Sequence, residues 1–509
     1  MRPAFRHVFL AGLFLAGLTA PSSAQTVRLA WDPSPDVVAA YVVQYGTAPG
    51  TYTKEAFVAG TATVADIGSL TAGKRHYFVV RAVNAAGLRS VPTNEVNLLV
   101  SAGGTSTPPP DQAETPPPPP EPQVGFPAGS ALRAVPALAA PRGTKVKVSS
   151  VTQLVAAVKA IKSDTTIELA AGTYKLPSTL AIAGAFRNIG LRGATTNAGN
   201  VVIVGPGLTA TKGALDGIRT SGGVTGITVA NLTLKSFPGT PVVLQDTHQA
   251  VLHNVRVHGD GRFVRGLSTI SGKPALAGTI QYSRFYYEGA RTDYRSGIDL
   301  ERAASWRIRY NVFSNATPTS KQRLGATIVA WRESSHTIVE GNTFVNCARE
   351  IVLGMAKTSP NPHSGGFVRN NMIVRTTAVK GASAGISVLD SPGTTVVYNT
   401  LLLRGTGPRA IEYRYPDTTK TIVANNLSDG PVQALDGATG VEDTNVTTAT
   451  ASWFASPATG DLRLLSTATV PMDSAAAVGR VADDHGGQAR PYGAGPDVGA
   501  DEARTFEYK

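Results

Sequence analysis

From Asn231 to Asn426 the chain alternates short apolar runs with polar punctuation at a nearly fixed period. Runs such as GIDL, TIVA, EIVL, GISV and AIEY carry two apolar positions two residues apart, and Gly, Asn, Ser or Thr separates them. One marker recurs in ANLTL, HNVRV, YSRFYY, YNVFS, GNTFV, NNMIV, YNTLL and NNLSD, at Asn231, Asn254, Ser283, Asn311, Asn342, Asn371, Asn399 and Asn426. By subtraction the spacings are 23, 29, 28, 31, 29, 28 and 27 residues. A spacing that persists over so many copies is a repeat architecture. The two-residue alternation makes the unit β, and no stretch sustains a 3.6-residue period. A unit of ~28 residues with two or three short strands cannot bury its apolar side alone, but stacked on its neighbours it can. The pattern predicts a parallel β-solenoid with coils about 4.8 Å apart. The Asn markers read as bend residues whose amides bond from coil to coil, because Asn tolerates left-handed backbone.

Flanking patterns set the ends. Ser150 through Ile161 (SVTQLVAAVKAI) has apolar residues at helical spacing behind a Ser cap, which predicts a short helix sealing the first coil. TIELAAGTY, IGLRG, VVIVG and ITVANLTL then lead into the repeat. After about Asn426 the pattern decays, and DHGGQARPYGAGPDVGADE reads as a terminal cap. Its carboxylates Asp497, Asp501 and Glu502 make calcium the one cofactor to consider, but turn and capping roles suit their irregular spacing better. Upstream, VRLAWD, AAYVVQYG, ATVADIGSL, RHYFVVRAVN and SVPTNEVNLLV are strand-like runs split by Gly, Pro and Asn turns. Residues 101–143, with PPP and PPPPP, lack the apolar content for a core and predict an extended linker. The expected organisation is a signal segment at 1–24, a small β domain at 25–100, the linker at 101–143 and the solenoid with its caps at 144–509.

Two resemblances follow. The Asn ladder, the coil length and the capping helix over roughly 145–505 are similar to the right-handed parallel β-helix, pectin-lyase-like superfamily. The segment with Trp31, Leu70, Tyr77 and SVPTNEV resembles a fibronectin type III domain, with Tyr77 in the tyrosine-corner role and Trp31 in the core. Together they imply an all-β chain: a small β-sandwich followed by a right-handed parallel β-helix. The superfamily holds pectate, alginate and chondroitin-type lyases, polygalacturonase-type hydrolases, epimerases and non-catalytic binding proteins, so its activity is not fixed by the fold. NTFVNCAREIVLGMAK is loosely similar to the Asn-x-Phe-x-x-Cys region of alginate and chondroitin lyases. The acidic metal-binding run and the Arg-His-Gly segment of those enzymes are missing, as are the polygalacturonase and pectate-lyase motif sets.

Composition narrows the setting. Arg2 and Arg6 precede an apolar Val8–Leu18 stretch too short to span a bilayer, and Pro21-Ser22-Ser23-Ala24 supplies small residues before Gln25. This predicts secretion without a membrane anchor. The single cysteine, Cys347, cannot form an internal disulfide and reads as a packed residue. Net charge is +12, and Arg256 to Arg375 alone holds 17 Lys/Arg against 8 Asp/Glu, a balance of +9. A basic patch on a secreted solenoid points to an acidic polysaccharide, rather than to nucleic acid. No nucleotide-binding, phosphate-loop or zinc motif is present, and His336 and His363 lack a third metal ligand. The chain is expected to be a monomer.

Strand alternation locates the candidate chemistry. With Ile298 and Leu300 inward, Asp299 and Glu301 face out; with Ile328 and Ala330 inward, Val329 and Trp331 face out; with Ile411 and Tyr413 inward, Glu412 and Arg414 face out. Gln245 and Ser387 join them on one predicted sheet. Neighbouring loops add Arg295, Arg302, Arg332, Glu333, Arg349, Glu350, Lys357 and His363, the last two on the long insertion GMAKTSPNPHSGG. An exposed Trp331 can stack on a sugar ring, and Arg302, Arg332, Arg349 and Arg414 can bind uronate carboxylates. Three readings stay open. A lyase would use Arg295, Lys357 and His363 as carboxylate-binding and acid–base groups. A hydrolase would use Asp299 and Glu301, roughly 6–7 Å apart on one strand face. A non-catalytic glycan-binding protein would need neither.

Overall fold

The computed structural model describes residues 13–14, 25–31, 38, 40–59, 62–71, 73–83, 89–90, 92–93, 95–100, 133–141, 143–259, 262–270, 272–288, 296–317, 325–355, 362–376, 379, 381–476 and 481–503. They fall into two compact units, Met1–Pro120 and Glu121–Lys509.

In the first unit, Leu13–Phe14, Gln25–Ala30 and Val64–Leu70 form one antiparallel sheet. Lys54–Ala59, Ala40–Gly46, Arg75–Val83 and Val96–Leu99 form the other. Trp31 is buried and meets Tyr41 edge-on, with ring centroids 5.5 Å apart. Tyr77 is only half-buried, whereas its neighbours His76 and Phe78 are buried. His76 Nε2 accepts the Thr71 amide at 3.1 Å, five residues upstream. The bond back to the preceding turn that was expected of Tyr77 is therefore made by an imidazole. Alternation along Arg75–Val83 turns Tyr77 outward and leaves His76 and Phe78 facing in.

The second unit is a parallel β-helix. Ten four-residue strands, from Leu180–Ala183 to Val432–Leu435, stack into one continuous parallel sheet, here called the front sheet. A twenty-stranded parallel set covers the other sides, and a four-stranded set of two-residue strands turns one corner. In the front sheet Ile298, Ile328, Ile351, Ile386 and Ile411 share one register position and are fully buried. Parallel stacking of identical branched side chains fills the coil interior without gaps. Phe285, Phe313 and Phe344 do the same further round, with successive centroids 4.9 Å apart. Trp306 is buried against Gly266 and Gly278, where a Cβ would come within 2.8 and 2.5 Å of its ring.

The helix over Val151–Lys159 forms as expected: Ser150 Oγ accepts the Gln153 amide, and Leu154 and Val158 are buried over the first coil.

The Asn markers split into two classes. Asn311 Nδ2 donates to Asn342 Oδ1 at 3.0 Å, and the chain continues through Asn371, Asn399 and Asn426 to Asn445. Each of these Oδ1 atoms also accepts the backbone amide of the asparagine before it. The left-handed residue is the one before: Tyr282, Tyr310, Gly341, Asn370, Tyr398 and Asn425 all have positive φ. Asn231 and Asn254 are themselves left-handed, with φ of 56° and 52°, and line up with Tyr282 rather than with Ser283. The inward place beside them is taken by Leu232 and Val255. The interior polar ladder thus starts at Ser283 and runs one coil past Asn426.

The described part of the tail packs along the side of the coils. Ala449, Phe454, Leu462, Val498 and Ala500 pack on the outward side chains of Val345, Met372, Val374, Leu402 and Leu427. His485 Nδ1 reaches Asn370 O at 2.9 Å. The carboxylates considered for calcium are occupied: Asp501 accepts the Leu464 amide, Asp497 accepts Asp473 and Ala503, and Glu502 pairs with Arg490. The end of the linker is also docked on this unit. Arg192 donates to Ala139 O, His253 Nε2 meets Pro136 O at 3.0 Å, and Arg133 pairs with Asp483 of the tail at 2.9 Å.

Candidate functional site

One row of outward positions runs the length of the front sheet: Arg219, Val243, Arg265, Asp299, Val329, Val352, Ser387, Glu412 and Gln433. Asp299, Ser387 and Glu412 therefore occupy one register position, as the alternation requires. Outward does not mean exposed here. Asp299 and Glu301 are only 2% and 4% exposed. Arg262 covers Asp299 at 3.0 Å, and Arg265 and Arg332 hold opposite oxygens of Glu301 at 2.7 and 2.9 Å. Burial raises the Asp299 carboxyl above the usual carboxylate range, against the pull of Arg262 and the Trp331 hydrogen bond.

Trp331 is tethered rather than free. Its Nε1 donates to Asp299 at 2.8 Å, and the Arg332 guanidinium lies 4.4 Å from its ring centroid. It also packs on an apolar cluster outside the coil, formed by Ala326, Val329, Val352 and Leu389 together with Met355 and Tyr415. Arg302 sits at the bend after its strand, 3.5 Å from Glu333.

Two expected residues lie in the interior. His363 is fully buried in a two-residue strand; its Nδ1 meets Ser391 Oγ at 2.7 Å and its Nε2 meets Thr337 Oγ1 at 3.2 Å. Burial pushes the imidazole down to about 3, with His336 adding to the shift, so it is neutral and sealed from substrate. Glu350 is likewise buried and makes a two-pronged pair with Arg375 at 2.7 and 3.0 Å. A polar residue directly after Pro362 reads as a loop residue in sequence, but His363 and Glu350 both lie buried in the interior. Arg295 and Lys357 lie outside the described residues.

Among the described residues, clefts open near both ends of the front face. Near its C-terminal end a cleft of about 360 Å³ is lined by Arg349, Ser383, Arg409, Glu412, Arg414 and Tyr415. Glu412 lies 3.6 Å from both Arg409 and Arg414 and accepts Ser387 Oγ at 3.0 Å, so it holds the two guanidiniums side by side. Arg414 is also paired with Asp436, which pushes its guanidinium further up. Near the N-terminal end a second cleft, about 410 Å³, is lined by Asp216, Arg219, Thr240, Arg262 and Arg265. The strands bearing Arg265 and Glu412 are five coil steps apart, roughly 24 Å at the usual strand spacing. Arg262, Arg265, Arg409 and Tyr415 were not singled out in sequence. The signal for Arg265 was its register opposite Asp299; Arg409 and Tyr415 lie just beyond a strand, where alternation no longer specifies direction.

No protein-family model matches the chain, and no curated protein sequence matches it either. Among solved structures, an alginate lyase from a Paenibacillus species aligns with a TM-score of 0.39 at 14% identity, over 53% of this chain and 97% of that one. The A-module of a mannuronan C-5 epimerase from Azotobacter vinelandii aligns at 0.37 and 15% identity, over 61% and 96%. A family 28 exopolygalacturonase from Yersinia enterocolitica aligns at 0.28 and 12% identity, over 84% and 98%.

Proposed function

We propose that this is a secreted protein acting on an acidic polysaccharide, which it binds along the front sheet and cleaves by β-elimination in the C-terminal cleft. The observation that carries the reading is the convergence of Arg349, Arg409 and Arg414 on one cleft with the Tyr415 ring. Guanidinium groups bind carboxylates in a fixed fork geometry. Drawing charge off the C5 carboxylate of a uronate acidifies the C5 proton. Elimination then removes that proton, breaks the bond to the C4 oxygen and leaves a C4–C5 double bond. Tyr415 is the cleft's proton relay, its hydroxyl oxygen taking the C5 proton as it gives its own proton to the departing C4 oxygen, and Glu412 positions the arginines rather than reacting. The second arginine cleft lies on the same face, so an extended polymer laid along the axis meets cationic groups at both ends of its run.

The test is incubation of the mature protein with alginate, pectate, hyaluronan, chondroitin and neutral glycans, following unsaturated-product absorbance and reducing ends together. Both signals should rise on a uronate polymer. Tyr415→Phe should lower kcat by about 10²–10⁴-fold with KM little changed, the usual span for losing a proton-transfer group. Reducing ends without unsaturation, or unchanged turnover in Tyr415→Phe and Arg349→Ala, would sink this assignment.

A further inference from the structure

A third cleft, about 580 Å³, opens where three strands of the front sheet end. Gly222 and Gly223 follow Ile218–Ser221, Asp246 follows Val242–Gln245, and Ser268 follows Val264–Leu267. The N-terminal front cleft draws Asp216, Thr240 and Arg262 from just before the same strands, so the two clefts share three coils and open at opposite ends of them. One wall of the third cleft is fixed by its own bonds. Asp246 Oδ1 accepts the Thr269 amide and Oδ2 the Thr269 hydroxyl, each at 2.7 Å, and Ser268 Oγ accepts the Ile270 amide at 3.2 Å. Ile270 is thereby held 50% exposed, in a cleft it lines with Pro274 and with Leu276, itself 44% exposed. Gly222 and Gly223 turn with φ of 78° and 89°, and a Cβ at Gly223 would meet nothing within 4 Å, so the chain there leaves the cleft open. His248 lines it too. Its Nδ1 accepts the Leu276 amide at 3.2 Å, so the neutral ring carries its proton on Nε2, which makes no hydrogen bond among the described residues. Lys273 adds an exposed ammonium. The lining thus offers aliphatic carbon, one oriented neutral donor and one cation, and no arginine, which sets it apart from both front clefts. A bare uronate leaves the aliphatic side chains uncovered; a ligand that also carries a methyl and a carbonyl uses every group present.

We propose that this cleft holds an acetylated sugar residue of an acidic polysaccharide. The acetyl methyl lies against Ile270, Pro274 and Leu276, the acetyl carbonyl accepts from His248 Nε2, and the carboxylate of a neighbouring uronate pairs with Lys273. That the polymer is acidic rests on the reading above; the acetyl-binding cleft itself does not. The acetyl group is an amide on an amino sugar or an ester on a hydroxyl, and the cleft's chemistry is the same for both. Seated here, such a residue fixes where along the polymer the uronates meet the front sheet, so the spacing of acetyl groups sets which bonds are presented for cleavage.

The experiment titrates the full chain, by calorimetry, with four octasaccharides: hyaluronan, which carries N-acetyl groups; O-acetylated oligomannuronate; the same oligomannuronate after removal of its acetyl esters; and a neutral N-acetylglucosamine oligomer. The wild type should bind at least one of the two acetylated acidic oligomers about tenfold more tightly than bare oligomannuronate, the combined worth of a covered methyl group and one hydrogen bond. Preference for hyaluronan alone names the amide as the natural group, and preference for the ester-bearing oligomer alone names the ester. Ile270→Asn, at an exposed position, should abolish the preference. Lys273→Met should weaken the acidic acetylated ligand and leave the neutral oligomer's affinity where it was. A wild type that shows no acetyl preference overturns the proposal, as does one that binds none of the four, or a preference that survives Ile270→Asn. If Ile270→Asn melts early, Leu276→Asn replaces it under the same criteria. Turnover of the wild type on each acidic oligomer separates the two readings. Acetyl-selective binding without any elimination leaves this inference standing and the front-cleft reading fallen; elimination with no acetyl preference does the reverse.

Discussion

Trp331 Nε1 donates a 2.8 Å hydrogen bond to Asp299 Oδ1 in the preceding coil. The indole thus does for the front sheet what the asparagine amides do inside the coil: it ties one turn of the chain to the one below. Trp331→Phe should destabilise the solenoid by about 1.5–3 kcal/mol, the usual worth of a hydrogen bond to a charged acceptor. A double-mutant cycle with Asp299→Ala, which removes the acceptor, read by urea unfolding, should show coupling of about the same size. Additive losses would mean that the contact is not formed.

The two classes of asparagine should separate sharply. Asn342→Leu strands the Asn311 backbone amide and side-chain amide and uncaps Ile308 O, all fully buried, and should cost about 2–4 kcal/mol. Asn231→Gly keeps a left-handed bend and should change stability by less than about 1 kcal/mol. Chemical denaturation of the two variants decides it, and similar losses in both would merge the classes again.

The tail should hold more tightly in acid. Burial pushes the Asp501 carboxyl up to about 7, with Asp484 adding to it, while the Leu464 amide, Arg463 and Arg490 pull the other way. In the unfolded chain the same carboxyl ionises near 4. Its contribution is therefore fully present below about pH 4 and declines by roughly 1.4 kcal/mol per pH unit up to about 7, then levels off. Asp501→Asn should flatten this slope and raise the melting temperature at pH 8. A melting temperature at pH 8 that stays at the wild-type value or falls would contradict the assignment.

Arg375 and Glu350 should tolerate joint replacement better than single replacement. Both side chains are fully buried, so Glu350→Ala alone leaves a guanidinium unpaired in the coil and should cost about 3–5 kcal/mol. Arg375→Met with Glu350→Leu should recover a large part of that, as judged by thermal melts.

Cys347 should be silent. Its thiol is fully buried and pushed up to about 12, chiefly by desolvation. Ellman's reagent should label it only after unfolding; rapid labelling of the native protein would place the thiol at the surface.

Sequence periodicity carried the solenoid a long way, because parallel stacking forces every coil to repeat the same inward pattern. The Ile298–Ile411 column and the capping helix at Ser150 were both readable for that reason. The ladder register was not, because Asn serves equally at the left-handed bend and at the inward place after it; Asn370 and Asn371 fill both. Direction was readable on the strands but burial was not. Asp299 and Glu301 face out as alternation demands, yet arginines from adjacent coils and bends cover them. Outside a strand's ends the two-residue rule lapses, which is why Arg409 and Tyr415 went unnoticed; a two-residue strand is too short to show alternation, which is why His363 was taken for a loop residue.

The clasp between Arg133 and Asp483 has a mechanical consequence. It joins the first described residues of the solenoid unit to the tail that returns along the coils, and Arg133 also sits 4.2 Å from the Tyr310 ring centroid. Tension applied between the two ends of this unit would meet that junction before it reached the coils. The junction and the tail's apolar seam would be loaded in shear, many contacts at once, rather than peeled coil by coil from an end. Force applied in this way would release the tail first and unwind the stack last.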